Sequence, residues 1–413
     1  MVVLKTSTPP VPSGNKVNNG FPYSNGAIKP HFTPSLNSFI NLDQGDPEVF
    51  APYWRKKSEE CTVVIKGSDL MSYMSDMTNV CWFMLPELRD AIRRLHHVVG
   101  NASAGMDKHI VVGTGSTQLF QAALFALSRS SDPSNHNPIN VVAAAPYYSE
   151  YQDEVEVLRS GLYRWGGDAR VYDKNEEYIE VVTAPNNPCG SIRRAVAMAR
   201  SEGDELGKLI HDFAYYWPQY TPITEEYDHD VMLFTFSKCT GHAGSRIGWA
   251  IVKDIEVARK MTRFIQMSSI GVSKESQIRV AKIIGVICDS YQKIGSSLQS
   301  DDLFFEHSKR MLRERWDKLR AVVDKSNIFS LDKYPKNYCN FTRQNSETYP
   351  AFAWIKCCGA IEDCESYLRS LKVYSRGGKR FGVDGKYARV SLLCRDEVFN
   401  EFLTRISNAR LQV

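Results

Sequence analysis

The apolar positions follow two periods. From residue 86 to 252, short β-branched and aromatic runs alternate with longer stretches in which apolar residues recur every three or four positions. Ile110–Val112, Asn140–Ala145, Tyr178–Thr183, Lys208–His211, Val231–Phe236 and Ile247–Val252 therefore predict buried strands. Pro86–Val99 carries Leu88, Ile92, Leu95 and Val99 at helical spacing, and from Ser116 onward Leu119, Ala122, Ala123 and Ala126 share one face. Further on, Ser268–Tyr291 and Asp302–Asn327 read as helices. The second has an amphipathic pattern (Phe304, Phe305, Met311, Leu312, Trp316, Leu319, Val322, Val323) suited to joining two lobes. The remainder mixes short strands (Ala351–Ile355, Ala388–Leu393) with helices (Cys364–Leu371, Asp396–Ile406).

Strands alternating with helices predict an α/β fold: a mostly parallel sheet covered on both faces, with a smaller α+β C-terminal lobe. The expected organisation is a disordered tail over 1–38, rich in Pro, Ser, Asn and Gly, then a large domain over 70–300. Residues 39–69 and 301–413 make the smaller lobe. In such sheets ligands gather outside the carboxyl ends of the strands, and the polar residues at those ends are the candidates for chemistry.

The stretch from Val231 to Val252 is the richest of them. Two apolar runs flank a polar, glycine-bearing loop with Ser237, Lys238, Gly241, His242, Gly244, Ser245 and Arg246. A lysine at the mouth of a buried strand is partly desolvated, which favours the nucleophilic free amine. Arg246, eight residues on, can return to the same place and grip an anion. An imine-forming lysine beside an anion clamp is what a pyridoxal phosphate enzyme needs, although a solvated lysine in a turn has the same local sequence. Gly113-Thr114-Gly115-Ser116-Thr117 is a turn opening a helix and suits a phosphate; Ser116 and Thr117 serve equally well as N-caps. Tyr148 follows Pro146, where a ring can stack on a flat cofactor or simply fill the core, and Tyr147 is adjacent. Asn187 stands in an Asn-Asn-Pro turn. Asp212 ends an apolar strand, where a carboxylate calls for a cationic partner such as a protonated pyridine nitrogen, and Tyr215 lies three residues on.

Composition narrows the field. The 413 residues are 43% hydrophobic and 24% charged with a net charge of +4, and no basic block suggests nucleic acid or membrane partners. No run approaches a membrane span. The ten cysteines have no zinc-ribbon spacing, so no metal site is expected, and reduced thiols fit a cytoplasmic protein. The N-terminus lacks the pattern of a signal peptide, and the sequons at Asn101 and Asn340 matter only in a secreted chain.

In this order the residues resemble the fold-type I pyridoxal phosphate enzymes, and within them the plant tryptophan aminotransferase and alliinase family. The similar stretches are Asn41–Pro47, Leu70–Trp82, Val111–Leu119, His211–Pro218 and Phe236–Ala250. The resemblance implies pyridoxal 5'-phosphate linked to Lys238. It implies Asp212 at the ring nitrogen, Tyr215 and Asn187 at the ring oxygen, and Tyr148 against the ring. Ser116, Thr117, Ser237 and Arg246 would hold the phosphate, with Tyr73 reaching it from the neighbouring subunit of a homodimer whose active site lies at the interface. Arg389 would clamp the substrate α-carboxylate, with Gly45 also at the substrate. The implied activity is transfer of an amino group from tryptophan or a similar aromatic amino acid to pyruvate or another 2-oxo acid, giving indole-3-pyruvate for auxin biosynthesis. A carbon–sulfur lyase using the same lysine, or a non-catalytic relative, are the alternatives. No cysteine precedes Cys61, so the cysteine-rich module ahead of the alliinase core is not expected here, which weighs against the lyase.

Overall fold

The computed structural model describes residues 38–128, 137–173, 176–197, 206–292 and 302–410; the tail expected over 1–38 lies, except for Ser38, outside the described residues. Strand β1 (Ile40–Asn41) is followed by seven strands that share one sheet: β2 (His109–Gly113), β3 (Ile139–Ala143), β4 (Tyr163–Asp168), β5 (Tyr178–Thr183), β6 (Gly207–Asp212), β7 (Val231–Thr235) and β8 (Gly248–Val252). Their order is β2-β8-β7-β6-β5-β3-β4. All pairings are parallel except those of β8, which runs antiparallel to β2 and β7. The nearly unbroken apolar runs follow from this, because β3, β5, β7 and β8 are buried along their whole length. Even Glu180 in β5 is 1% exposed; its carboxylate accepts the backbone N–H groups of Val196 and Ala197 at 2.6 and 3.0 Å.

Two strands predicted to be longer are trimmed. The run to Ala145 ends as strand at Ala143, and the run to Phe236 ends at Thr235, where a helical turn, Phe236–Cys239, begins. β4 was not predicted. Its sequence, YRWGGD, lacks apolar alternation because it is an edge strand buried mainly at Tyr163, and its register shifts against β3 between Val141 and Val142. The helix expected over Ser268–Tyr291 begins later, at Lys274, and a separate helix before it was not predicted. Ile255–Ser269 ends at Ile270 and Gly271, both at positive φ, and Lys274–Gln292 follows. Ile255–Ser269 had a readable signal in Asp254, whose side chain accepts the N–H groups of Glu256 and Val257. Gly271 is required at the break, since a Cβ there would stand 2.7 Å from the Phe83 ring. The helix read over Asp302–Asn327 spans Phe304–Val323.

A second, antiparallel sheet has the order β14-β15-β12-β9, formed by β9 (Phe329–Leu331), β12 (Phe352–Cys357), β14 (Arg376–Gly377) and β15 (Tyr387–Ser391). Between them β10 (Asn337–Cys339) and β11 (Gln344–Ser346) form a hairpin. β13 (Val373–Tyr374) pairs in parallel with β1, which ties the N-terminal segment to the C-terminal lobe. That tie places residues 42–45 over the carboxyl ends of the large sheet.

Behind the sheet, His96 forms a dry polar relay. Its Nε2 accepts Trp249 Nε1–H at 2.9 Å, so Nδ1 carries the proton and donates to Asn101 Oδ1 at 2.8 Å. Asn101 Nδ2 donates to the Tyr216 carbonyl, so the first sequon is closed to modification in the folded chain. Burial pulls the His96 pKa down to about 4, against the slight lift of the Asn101 bond, and His211 and His242 are lowered chiefly by burial too. A histidine held neutral when folded takes up a proton in the unfolded chain first, as pH falls through 6.5. His96 alone then removes up to about 3 kcal/mol of stability between pH 6.5 and 4. The urea midpoint is expected to fall between pH 7 and 5, and His96→Phe to flatten the fall. A midpoint that is constant or rises over this window would refute the relay's role.

Candidate active site

The carboxyl ends of β2, β5, β6 and β7, together with β12, β14, β15 and the Gln44–Gly45 segment, enclose a cavity of about 410 Å³. Lys238 enters it from the helical turn after β7, which Thr235 Oγ1 caps by accepting the Ser237 N–H. The Lys238 carbonyl accepts from Gln219 Nε2 at 3.2 Å and Tyr220 Oη at 3.1 Å, so its backbone cannot shift. Its Nζ donates to the Gly45 carbonyl and lies 5.9 Å from the Tyr215 ring centre. A side chain at 45 would crowd the site, since a Cβ there would stand 2.8 Å from the Phe352 ring and 3.2 Å from Lys238 Nζ. Burial first, then the charges of Arg389 and Arg246, pull the Lys238 pKa down to about 8 against the opposing pull of Asp46.

Asp212 lines the floor. It accepts Tyr151 Oη–H at 2.8 Å and the Ala214 N–H at 3.0 Å, and Tyr151 Oη also meets Thr183 Oγ1 at 2.6 Å. Burial raises its pKa while these two bonds hold it back. Among the described residues Asp212 has no salt bridge. A half-buried carboxylate at a cavity floor, with no ion pair of its own there, fits a ligand that brings a cation to it. At the rim of the floor, the helix Ser116–Leu127 starts at Gly115 with no side-chain cap, so its first N–H groups are open to an anion. Arg246 adjoins it, its Nη2 3.0 Å from where a Gly115 Cβ would stand. Thr117 Oγ1 donates to Glu154 at 3.1 Å; burial, partly offset by that bond, lifts the Glu154 carboxyl to about 7.

On the opposite wall Arg389, 3% exposed, lies 4.2 Å over the Phe352 ring. It donates to Asn187 Oδ1 at 3.0 Å and the Asp43 carbonyl at 2.6 Å, while its buried Nε has no partner. Burial, then the charge of Arg376, pulls its pKa down to about 10. Burial raises Tyr148 and Tyr215 well above the ordinary phenol range, so both are hydroxyl donors.

Of the residues the sequence singles out, Gly45, Ser116, Thr117, Tyr148, Asn187, Asp212, Tyr215, Lys238 and Arg389 line the cavity. Tyr148 rather than Tyr147 faces it; the Tyr147 ring packs against Trp165 and Gly382. Ser237 is buried beside Lys238 and Arg246 is exposed behind Gly115, neither on the cavity wall. Tyr73 is 61% exposed, edge-on to Trp82 and away from the cavity of its own chain. Sequence reasoning missed Tyr151, Glu150, Glu154, Phe352, Asp43 and Arg376. Of these only Tyr151 had a local hint, standing one helical turn beyond Tyr148.

This arrangement has the fold of the fold-type I aminotransferases. YbdL of Escherichia coli, whose structure was described with a methionine aminotransferase function, superposes with a TM-score of 0.62 at 14% identity over 90% of this chain and 94% of that one. The aspartate aminotransferase of Rhizobium meliloti gives 0.63 at 17% identity over 90% of each. The chain belongs to the alliinase family, whose model, described as Allinase, matches residues 40–410. It is 51% identical over 372 residues to tryptophan aminotransferase-related protein 2 of Arabidopsis thaliana (90% of this chain, 81% of that one). It is 49% identical over 382 residues to the protein of that name in Oryza sativa subsp. japonica (91% and 74%). Against alliin lyase of Allium cepa identity is 35% over 369 residues (88% and 74%).

The lowered lysine gives a direct test. Competitive acylation with a trace amine reagent, read peptide by peptide against pH, is expected to place the Lys238 midpoint near 8. A midpoint at the ordinary lysine value of about 10.4 would refute the desolvated amine.

Proposed function

We propose that this protein is a pyridoxal 5'-phosphate-dependent aminotransferase. It moves the amino group of L-tryptophan or a similar aromatic amino acid to pyruvate or another 2-oxo acid, and the indole-3-pyruvate formed serves auxin biosynthesis. The observation that carries the reading is that Lys238 and Arg389 face one cavity with Asp212, the lysine lowered and the arginine with an unpartnered Nε. The identities of about 50% to tryptophan aminotransferase-related proteins, against 35% to alliin lyase, support transfer over lysis.

The residues present fit the cofactor. Lys238 would link it, Asp212 would hold the proton on its ring nitrogen, and Tyr215 and Asn187 would donate to its ring oxygen. Ser116, Thr117, Ser237 and Arg246 would hold its phosphate, with Tyr148 against the ring. When bound, the cofactor supplies an electron-accepting ring that takes up the charge left by removal of the substrate α-proton. Arg389 binds the substrate carboxylate and so orients the α-carbon. Lys238 Nζ, with its pKa near working pH, takes the α-proton as general base. Phe352 and Tyr148 exclude water from the wall where the side chain lies.

We also infer a cytoplasmic homodimer with Tyr73 crossing to the partner's site. Met71, Tyr73, Met74 and Met77 form an exposed apolar run, and ten free cysteines suit a reducing compartment.

Purified protein assayed with L-tryptophan and a panel of 2-oxo acids is expected to form the aromatic 2-oxo acid only when an acceptor is present. Release of pyruvate and ammonia from S-alkylcysteine sulfoxides without an acceptor would favour the lyase. Lys238→Ala is expected to lose at least about a thousandfold in turnover while keeping its fold by circular dichroism. Turnover above a tenth of the parent would overturn the assignment.

Arg389→Lys keeps the charge but loses the two-pronged grip on a carboxylate. KM for tryptophan is expected to rise about tenfold or more, while tryptamine, already poor for lack of the carboxylate, loses little further. Equal losses on the two substrates would show that Arg389 supports the lobe instead of reading the carboxylate.

A further inference from the structure

Two arginines, not one, face the cavity. Arg376 on β14 and Arg389 on β15 are direct cross-strand partners, which sets their Cα atoms roughly 5 Å apart, and both line the wall beside Phe352. Their neighbours differ. Arg376 is occupied at every nitrogen: Nε and Nη2 donate to the two oxygens of Asp43 at 2.5 and 3.0 Å, and Nη1 donates to Ser149 Oγ at 2.8 Å and to Glu150. Arg389 donates only to neutral oxygens, those of Asn187 and the Asp43 backbone, keeps Nε unpartnered, and has the Asp43 carboxylate no nearer than 3.7 Å.

We propose that Asp43 and Glu150 set the substrate class by occupying Arg376, leaving Arg389 as the one guanidinium able to take a carboxylate and restricting the enzyme to amino acids and 2-oxo acids with a single carboxylate. The inference rests on the aminotransferase reading of the cavity. A monocarboxylic substrate places its carboxylate on Arg389 and its neutral side chain among Phe352, Tyr148 and Phe120. A dicarboxylic substrate brings a second charge to a wall whose other arginine already holds two carboxylates. It must displace one of them or lie against both, and Glu154 adds a further acidic group to the same cavity. Selection is thus by repulsion and by the absence of a free partner.

The test compares the parent holoenzyme with Asp43→Asn/Glu150→Gln. Two readouts are used: initial rates with L-tryptophan and either pyruvate or 2-oxoglutarate, and calorimetric binding of the inert acids butyrate and glutarate. The parent is expected to favour the monocarboxylates. In the double variant both ratios are expected to move toward the dicarboxylate by at least about tenfold. Adding Arg376→Gln is expected to reverse the shift, because Arg376 is the group set free. Unchanged ratios in the double variant, or a shift that survives Arg376→Gln, overturn the proposal. If loss of Asp43 unfolds the protein, Glu150→Gln alone decides, since it leaves the paired bonds to Asp43 in place. A smaller shift in the same direction upholds the proposal, and no shift overturns it. If the parent transaminates no substrate, the functional reading fails, while the butyrate and glutarate titrations still report what Arg376 accepts.

Discussion

The structure is arranged around keeping one amine largely out of water. Lys238 reaches the cavity from a strand end whose backbone is held by Gln219 and Tyr220, and its Nζ meets the carbonyl of Gly45, where a side chain would crowd Phe352 and the amine. An ammonium there loses hydration and sits in the field of Arg389 and Arg246, so the free amine is favoured close to neutral pH. Much of the architecture serves this. The short pairing of β1 with β13 holds residues 42–45 over the sheet, and Phe352 from β12 closes the wall beside them. The lysine therefore belongs to neither lobe alone.

The charges around the amine are divided with economy. The floor holds a carboxylate, Asp212, stabilised by Tyr151 and a backbone N–H but by no cation. The roof holds a guanidinium, Arg389, stabilised by stacking on Phe352, by neutral oxygens and only at 3.7 Å by the Asp43 carboxylate. Buried ionic groups left in this state cost stability unless something completes them, and they concentrate where ligands bind. A molecule that brings a cation to the floor and an anion to the roof completes both. The helix start at Gly115 beside Arg246 offers a separate place for a phosphate. Arg376, by contrast, is already complete, and so it shapes the cavity without offering a free site.

The local pattern determined a good deal. Pro86–Val99 and Tyr178–Thr183 carry the boundaries their apolar periods predict, because a helix face or a doubly buried strand leaves its period in the chain itself. The alternation of the two periods implied the covered parallel sheet, and the strand-end rule pointed to Lys238, Asp212, Asn187 and Ser116 as neighbours, all of which line one cavity. Edge strand β4 left no such period, because an edge needs only one buried position in six to stay in place. The break at Ile270-Gly271 fell within the start of the helix read from Ser268, and the Phe83 ring that leaves room only for glycine at 271 is far away in sequence. Asp43 and Arg376 are 333 residues apart, and nothing near either one announces the other. Sequence alone thus settled which residue types stand at the strand ends, because that depends on local burial. Only the packing of the two sheets decided which charges meet, because an ion pair depends on distances through space that no local period records.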